Sequence, residues 1–376
     1  MKYFFLYAIL FFRSAGYGQV IIEISNPLPA HREELVAIPW KDVMSAYSKI
    51  DTGNFIIIDI KTKKQLSYQL EYIGNIDVQN LLIHAPVNAK SNLKLQLLNR
   101  KVNKAKFVAK TFCRYVPERK DDFAWENDKI AFRMYGKALE NTKENAFGTD
   151  VWVKRTHRLV INERYNRGEY HIDHGDGLDY YHVGFSLGAG NMAPYLNDSI
   201  WYSKNYRSWK VLDNGPLRST FQLTFDEWQV GSQKVKAVKT ISLDAGSQLS
   251  RVEATYYFNE TVSLPVVAGI IKRKEPGALW LDESKGIMGY WEPVHGKDGV
   301  TGVGCIFIDS VKQMMVTKSH LLTIANTKTA LPVIYYSGAA WDRAGIITSS
   351  QKWFDYLKLF KDRLENPLSV TVQNSL

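Results

Sequence analysis

Cysteine is nearly absent, with only Cys113 and Cys305 in 376 residues. A disulfide-built scaffold is therefore excluded, and so is a zinc site made from paired cysteines, because no two thiols lie close enough in sequence to converge on one ion. The two thiols sit in strand-like segments, where they could form one bridge in an oxidising compartment or act as small buried apolar groups. Long apolar runs are also missing. The stretch from Tyr3 to Phe12 is too short for a permanent membrane span, which takes about 20 residues. There is no internal repeat, no low-complexity tail and no nucleic-acid recognition motif, and Lys and Arg are spread along the chain, so nucleic acid is the least supported partner. Acidic residues are the scarcer sign, 38 against 48 basic ones, for a formal charge of +10. That balance attracts anionic partners over distance, acidic polysaccharide among them. What is abundant is aromatic: 13% of the chain, with 10 Trp and 21 Tyr. Aromatic faces stack on sugar rings, and a large β-core would use the same residues. With 45% hydrophobic residues the chain can fill one large domain or two ordinary ones, and it is not a disordered polymer.

Taken in order, residues 1–18 read as a signal peptide: Lys2 at the start, the apolar run, then Gly16 and Gly18 spaced for cleavage. Export to a periplasm follows from that reading, and the absence of a Cys after the run argues against a lipidated end. Arg13 interrupts the pattern, and an unprocessed first strand is the alternative. Residues 19–116 alternate in short strands and suggest an immunoglobulin-like sandwich. Phe55 to Ile60, a charged turn at Lys61 to Lys64, and Leu66 to Tyr72 read as a hairpin, and Leu93, Leu95 and Leu97 as one face of a strand. His31 and His84 are isolated and read as solvated or capping. A boundary is expected at Pro117 to Asp122. Beyond it, residues 117–376 show long alternating strands and one helix, where Trp353, Leu357, Phe360 and Leu364 recur before Asn366 and Pro367. The fold class is all-β: a small sandwich followed by a large antiparallel one with a C-terminal helix.

Chemistry concentrates between Gly148 and Tyr195, which hold His157, His171, His174 and His182, four of the eight histidines, with Asp173, Asp176 and Asp179. A strand from Val151 to Ile161 would place Arg155 and His157 in an apolar row with Val151 and Val153, and Trp152 and Lys154 on the other face. An Arg and a His there need partners. His171, Asp173 and His174 are weak candidates for a divalent metal, since three local groups with no fourth are a thin ligand set. Gly184 to Asn191 (GFSLGAGN) lacks the Lys of a phosphate loop and reads as a close backbone approach between sheets. His182, beside Val183 and Phe185, reads as structural.

The runs Asp121 to Leu139 (DDFAWENDKIAFRMYGKAL), Asp150 to Arg155 (DVWVKR), Tyr170 to Tyr181 (YHIDHGDGLDYY) and Tyr335 to Asp342 (YYSGAAWD) resemble a family long catalogued only as a domain of unknown function. That family groups with the galactose-mutarotase-like supersandwiches of bacterial carbohydrate-degrading systems. The motifs cover the chain from Arg119 onward. The resemblance implies a supersandwich carrying the active site. Through a similar member, an ulvan oligosaccharide dehydratase, it also implies removal of water from a saturated non-reducing-end uronic acid to leave a 4,5-unsaturated sugar.

That reaction needs a cation on the carboxylate, a base for the C5 proton and an acid for the departing O4. Arg155 or Lys154, or a bound divalent ion, would serve the carboxylate. Imidazoles titrate near neutrality, which makes His171 or His174 the base, and Tyr170, Tyr181 or the second histidine the acid. The assignment adopted is His171 as base, Arg155 on the carboxylate and Tyr181 as acid, with His174 beside them. Lys154, Tyr170, Trp125, Asn127, Lys272 and Trp341 are expected to bind substrate, an anionic oligosaccharide. Glu126 and Arg133 are expected to pair and close the sheet. Two other classes stand beside elimination. A glycoside hydrolase would want two separated carboxylates, and Asp173, Asp176 and Asp179 crowd one loop with Glu126 the only distant partner. A non-catalytic sugar-binding protein would use the same aromatics and charge.

Overall fold

Alternation at the N-terminus builds a sandwich. The strand Gln19–Ser25 buries Val20, Ile22 and Ile24, and it pairs antiparallel with Asn92–Asn99 on one side. In the computed structural model, which describes residues 19–100, 107–259, 263–309 and 311–375, its other neighbour is the last strand of the chain, Ser369–Ser375. The expected leader at 1–18 lies outside the described residues. With Phe55–Asp59 these strands form a four-stranded sheet, faced by a three-stranded sheet of Arg32–Pro39, Tyr68–Glu71 and Asn80–Val87. Ile57, Leu81, Ile83, Leu95 and Leu97 fill the space between them.

Three expectations change here. The hairpin of Phe55 to Ile60 with Leu66 to Tyr72 is split, because the first strand pairs with Asn92–Asn99 and the second with Asn80–Val87. The charged turn crosses from one sheet to the other, so both strands can face one core; a single bridge, Ile58 to Gln65, remains of the hairpin. The boundary at Pro117 is a turn within the second unit: Thr111–Val116 pairs with Asp122–Asn127 around it. Lys120 and Asp121 make that turn in the left-handed region, at φ 51° and 61°. The second unit also does not run to the C-terminus, since Ser369–Ser375 closes the open edge of the first sheet.

The large unit has an eight-stranded sheet and two five-stranded sheets. Its core runs through Trp125, Phe132, Val151, Phe221, Leu223, Val303 and Tyr335. The GFSLGAGN stretch is the close approach its glycines suggest: Gly190 has φ +90°, and a Cβ there would sit 2.0 Å from Ser337 Oγ. The helix Ser350–Glu365 starts where Ser349 Oγ accepts from the Lys352 N–H at 3.3 Å. It buries Trp353 and Leu357 against Gly289, Gly302 and Gly304. Cys113 and Cys305 are both buried free thiols. Among the described residues no helix is long and apolar enough to cross a membrane.

Candidate active site

The strand Asp150–Lys154 stops after Lys154 rather than running on to Ile161. The reason is Glu126. Its carboxylate accepts the N–H groups of Val160 and Ile161, each at 2.7 Å, and so starts the short helix Ile161–Arg167. Arg155 and His157 are therefore loop residues, and the problem of burying them in an apolar row does not arise. Within the strand, Asp150, Trp152 and Lys154 share a face, with Asp150 opposite Arg133 and Trp152 opposite Asp179. That face carries Asp122, Glu126, Arg133, Asp150, Lys154 and Asp179, all buried.

These charges sort into two groups. Lys154 Nζ donates to Glu126 Oε2 and to the Asn127 carbonyl, both at 2.6 Å. Arg133 reaches Asp150 and Asp179 at 2.9 Å each, and stands 3.7 Å from Asp122. Its guanidinium carbon is 5.2 Å from the Trp152 ring centre and 5.7 Å from that of Tyr170. Three carboxylates around Arg133, with Arg119 3.7 Å from Asp122, still leave negative charge in excess away from water. Burial pushes Asp122 up to about 7, and burial likewise raises Asp150 and Asp179.

Tyr170 stacks on Trp152 with ring centres 4.9 Å apart. Next to it His171 is 66% exposed, and its Nδ1–H donates to the Asp179 carbonyl at 2.8 Å. That bond fixes the tautomer of the neutral ring and leaves the Nε2 lone pair as the available acceptor. Asp173 accepts the Gly175 and Gly177 N–H groups at 2.8 and 3.0 Å and forms an ion pair with Arg155. The Arg155 guanidinium lies 5.3 Å from the ring centre of Trp341 and is 38% exposed. Further along, Tyr180 stacks on His295 at 5.1 Å and its hydroxyl meets Thr301 Oγ1 at 2.6 Å. Arg273 donates to Glu292 at 2.8 Å and to the His182 carbonyl at 2.6 Å. Burial pushes Glu292 up to about 7.

A family model described as "Domain of unknown function (DUF4861)" matches residues 24–370. The chain belongs to this family. The "Uncharacterized protein P7" of Formosa agariphila is 31% identical over 411 residues, covering 99% of each chain. Among solved structures, an alpha-mannosidase from Enterococcus faecalis V583 superposes with a TM-score of 0.50 at 8% identity, over 95% of this chain and 46% of that one. A glycosyl hydrolase family 38 protein from Enterococcus faecalis gives a TM-score of 0.50 at 8% identity, over 96% and 47%. The chain thus spans about half the length of these solved structures, and at that identity the likeness is one of fold.

In this DUF4861 chain, Arg155 and Asp173 meet at one lip, and Tyr170 and His171 lie on the loop that carries Asp173; Trp341, expected to bind substrate, is instead buried beneath Arg155. Other expected site residues are corrected. Trp125 belongs to the inner face of its strand, 2% exposed, with its Nε1–H on Ser250 Oγ at 3.0 Å, so it packs the core and offers no sugar platform. Asn127 donates to the Asp244 and Ser247 carbonyls and accepts from the Lys129 and Ile130 N–H groups, which leaves it nothing for a ligand. Lys154 is consumed by Glu126, and Glu126 therefore pairs with Lys154 and not with Arg133. Tyr181 is buried under Arg273, its hydroxyl has no hydrogen-bond partner among the described residues, and burial holds it well above the usual phenol range. It cannot reach a leaving group. Lys272 is half-buried at its strand end, its N–H on the Ser319 carbonyl at 2.8 Å. His174 is exposed, with Nε2 at 3.7 Å from Glu169. His182, read as structural, is exposed. The metal candidates do not converge: Asp173 is held by Arg155, His171 Nδ1 faces a carbonyl, and among the described residues no three His, Cys, Asp or Glu are placed to share an ion. The donor set does not fit a resident divalent metal.

The Arg133 cluster and the Arg273–Glu292 pair were not identified from sequence. The signal lay in parity, since Asp122, Glu126, Arg133, Asp150 and Lys154 fall on one face once the strands are in register, and register is a tertiary fact. One other cavity, about 240 Å³ between the first sandwich and the C-terminal helix, is lined by Arg218, Asp244, Glu34 and Arg363. Those charges neutralise one another, Arg218 on Asp244 at 2.5 Å and Arg363 on Glu34 at 3.2 Å.

Proposed function

We propose that this protein is an exported, periplasmic carbohydrate-active lyase. It removes water across C4 and C5 of a saturated uronic acid at the non-reducing end of ulvan-type anionic oligosaccharides. One observation carries the reading: an exposed imidazole with its Nδ1 committed to a carbonyl stands on the loop that Asp173 ties to an exposed arginine. Arg155 receives the uronate carboxylate and offsets the charge that builds as C5 loses its proton. His171 Nε2 takes that proton, and the C5–H electron pair becomes the C4=C5 double bond. The C4–O bond breaks, and His174, in place of the buried Tyr181, gives the oxygen a proton so that it leaves as water. Trp341, with its indole N–H held by the Asp298 carbonyl at 2.7 Å, supports Arg155 from behind.

The test is ultraviolet absorbance on uronic-acid-terminated oligosaccharides. An absorbance rise with a product lighter by one water is expected, along with a fall of about 100-fold or more for His171→Ala, as general-base losses run. Arg155→Ala should lose turnover and Arg155→Lys should recover little of it. New reducing ends without absorbance would mean hydrolysis. Binding without either product would mean a lectin-like module. Full turnover in His171→Ala would remove the assigned base.

A further inference from the structure

The loop that leaves the lip of the site carries a large, exposed ring. Phe185 is 57% exposed, three residues after His182, whose carbonyl is held by Arg273. Its ring centre is 4.9 Å from that of Tyr202, and Phe147 stands edge-on to Tyr202 at 5.1 Å. The loop is anchored by the Phe147 N–H on the Gly184 carbonyl at 3.3 Å. Phe185 and Tyr202 border a groove of about 260 Å³ whose other walls include Trp228, Asn141 and Asn145. The side-chain amides of these two asparagines make no hydrogen bond among the described residues, while the groove's carboxylate is closed off. Glu140 accepts from Arg207 at 2.7 and 2.9 Å and from the Asn205 N–H at 2.8 Å.

Aromatic rings beside unpaired amides present an apolar face and a row of donors and acceptors. That is the complement of a pyranose, whose C–H face is apolar and whose rim is hydroxyl. Lys204, exposed on the groove's wall, adds a cation, so the groove accommodates an acidic or sulfated sugar as well as a neutral one. An apolar helix would leave both amides buried without partners. We infer that this groove is a second saccharide subsite, which takes a further sugar residue of the oligosaccharide whose uronate end lies at Arg155. The inference rests on the carbohydrate reading above, and its test is separable from it.

The measurement is calorimetric binding to His171→Ala protein, which leaves the ligand intact, of uronic-acid-terminated di-, tetra- and hexasaccharides. The longer chains should bind about tenfold tighter than the disaccharide. Phe185→Ala, at an exposed position, and Asn145→Ala, at a half-buried one, should each remove that gain and leave disaccharide affinity unchanged. A length-dependent gain that survives in both variants, or that is missing before either change, overturns the subsite. Light scattering that showed a dimer lost on Phe185→Ala would overturn it too, by assigning the ring to self-association. An absorbance assay that stayed silent would defeat the elimination reading while the length-dependent gain still reported on the groove.

Discussion

At the scale of single residues, the same side-chain type does opposite work according to what surrounds it. Lys154 and Arg155 are neighbours in sequence, yet Lys154 is sealed under the helix Ile161–Arg167 and Arg155 opens to solvent. Burial lowers the Lys154 ammonium pKa, and Glu126 pulls it back up. A buried ion pair is costly to break from one side, because the remaining charge keeps its desolvation penalty. Lys154→Met should therefore lose about 3–5 kcal/mol of stability, read from the denaturant midpoint. Adding Glu126→Gln should return part of that loss, since no charge then stays buried. The N–H groups of Val160 and Ile161 would still find an amide oxygen. A single variant no worse than an exposed-lysine change would mean that water reaches the pair.

At the scale of elements, the C-terminal helix shows what periodicity alone can convey. Trp353, Leu357, Phe360 and Leu364 at helical spacing mark it in sequence, and the helix runs over Ser350–Glu365. Its seat on the sheet is invisible there. Gly289, Gly302 and Gly304 look like breakers inside strands, but they clear room for the helix; a Cβ on Gly304 would lie 2.7 Å from Leu357 Cδ2. Trp353→Ala should cost about 3–5 kcal/mol by leaving a cavity. Gly304→Val should cost about 1–3 kcal/mol by overfilling the same seat. Combining Gly304→Val with Leu357→Ala should cost less than the sum, which a double-mutant cycle on thermal melts would read. Strict additivity would mean the helix shifts as a rigid body. The strands Gln233–Asp244, Leu249–Tyr257 and Thr301–Phe307 were legible for the reason the helix was, a period read within one segment. Legibility ended where the outcome depends on partners far along the chain. The Phe55 to Tyr72 segment divides between two sheets, and Asp150 meets Arg133 only because those strands pair. In the site, clustering in sequence found His171, Asp173 and Arg155, which one loop and one strand end bring together. It misplaced Trp125, Asn127 and Tyr181, whose burial follows from strand parity and from packing against distant sheets.

At the scale of the whole molecule, the buried titratable groups give stability an unusual dependence on pH. Burial raises Asp122 from 3.8 to about 7 and Glu292 from 4.5 to about 7, and it raises Asp150 and Asp179 as well. Such carboxyls hold protons in the folded state that the unfolded chain has already released, so between about pH 4 and about pH 7 folding takes up protons. Stability must then fall as pH rises through that window. His320, lowered by burial from 6.5 to about 4, and His84, also lowered by burial, oppose this trend, two groups against the four carboxyls. Lys239 acts above the window. Burial lowers it from 10.5 to about 7, where its Nζ donates to Asn191 Oδ1 at 2.5 Å and to the Met192 carbonyl at 2.7 Å. Its folded form therefore binds less proton than the unfolded chain above about pH 7, and stability rises toward pH 9, beyond which the buried thiols Cys113 and Cys305, raised from 9.0 to about 12, oppose it. The melting temperature should pass through a minimum near neutrality. Glu292→Gln and Asp122→Asn should each flatten the descending arm, and Lys239→Met should flatten the ascending one. A melting temperature that stayed level from about pH 5 to pH 7, as it does where every carboxyl is ionised by pH 5, would show that these groups ionise freely and that the sheet faces beneath the site are wet.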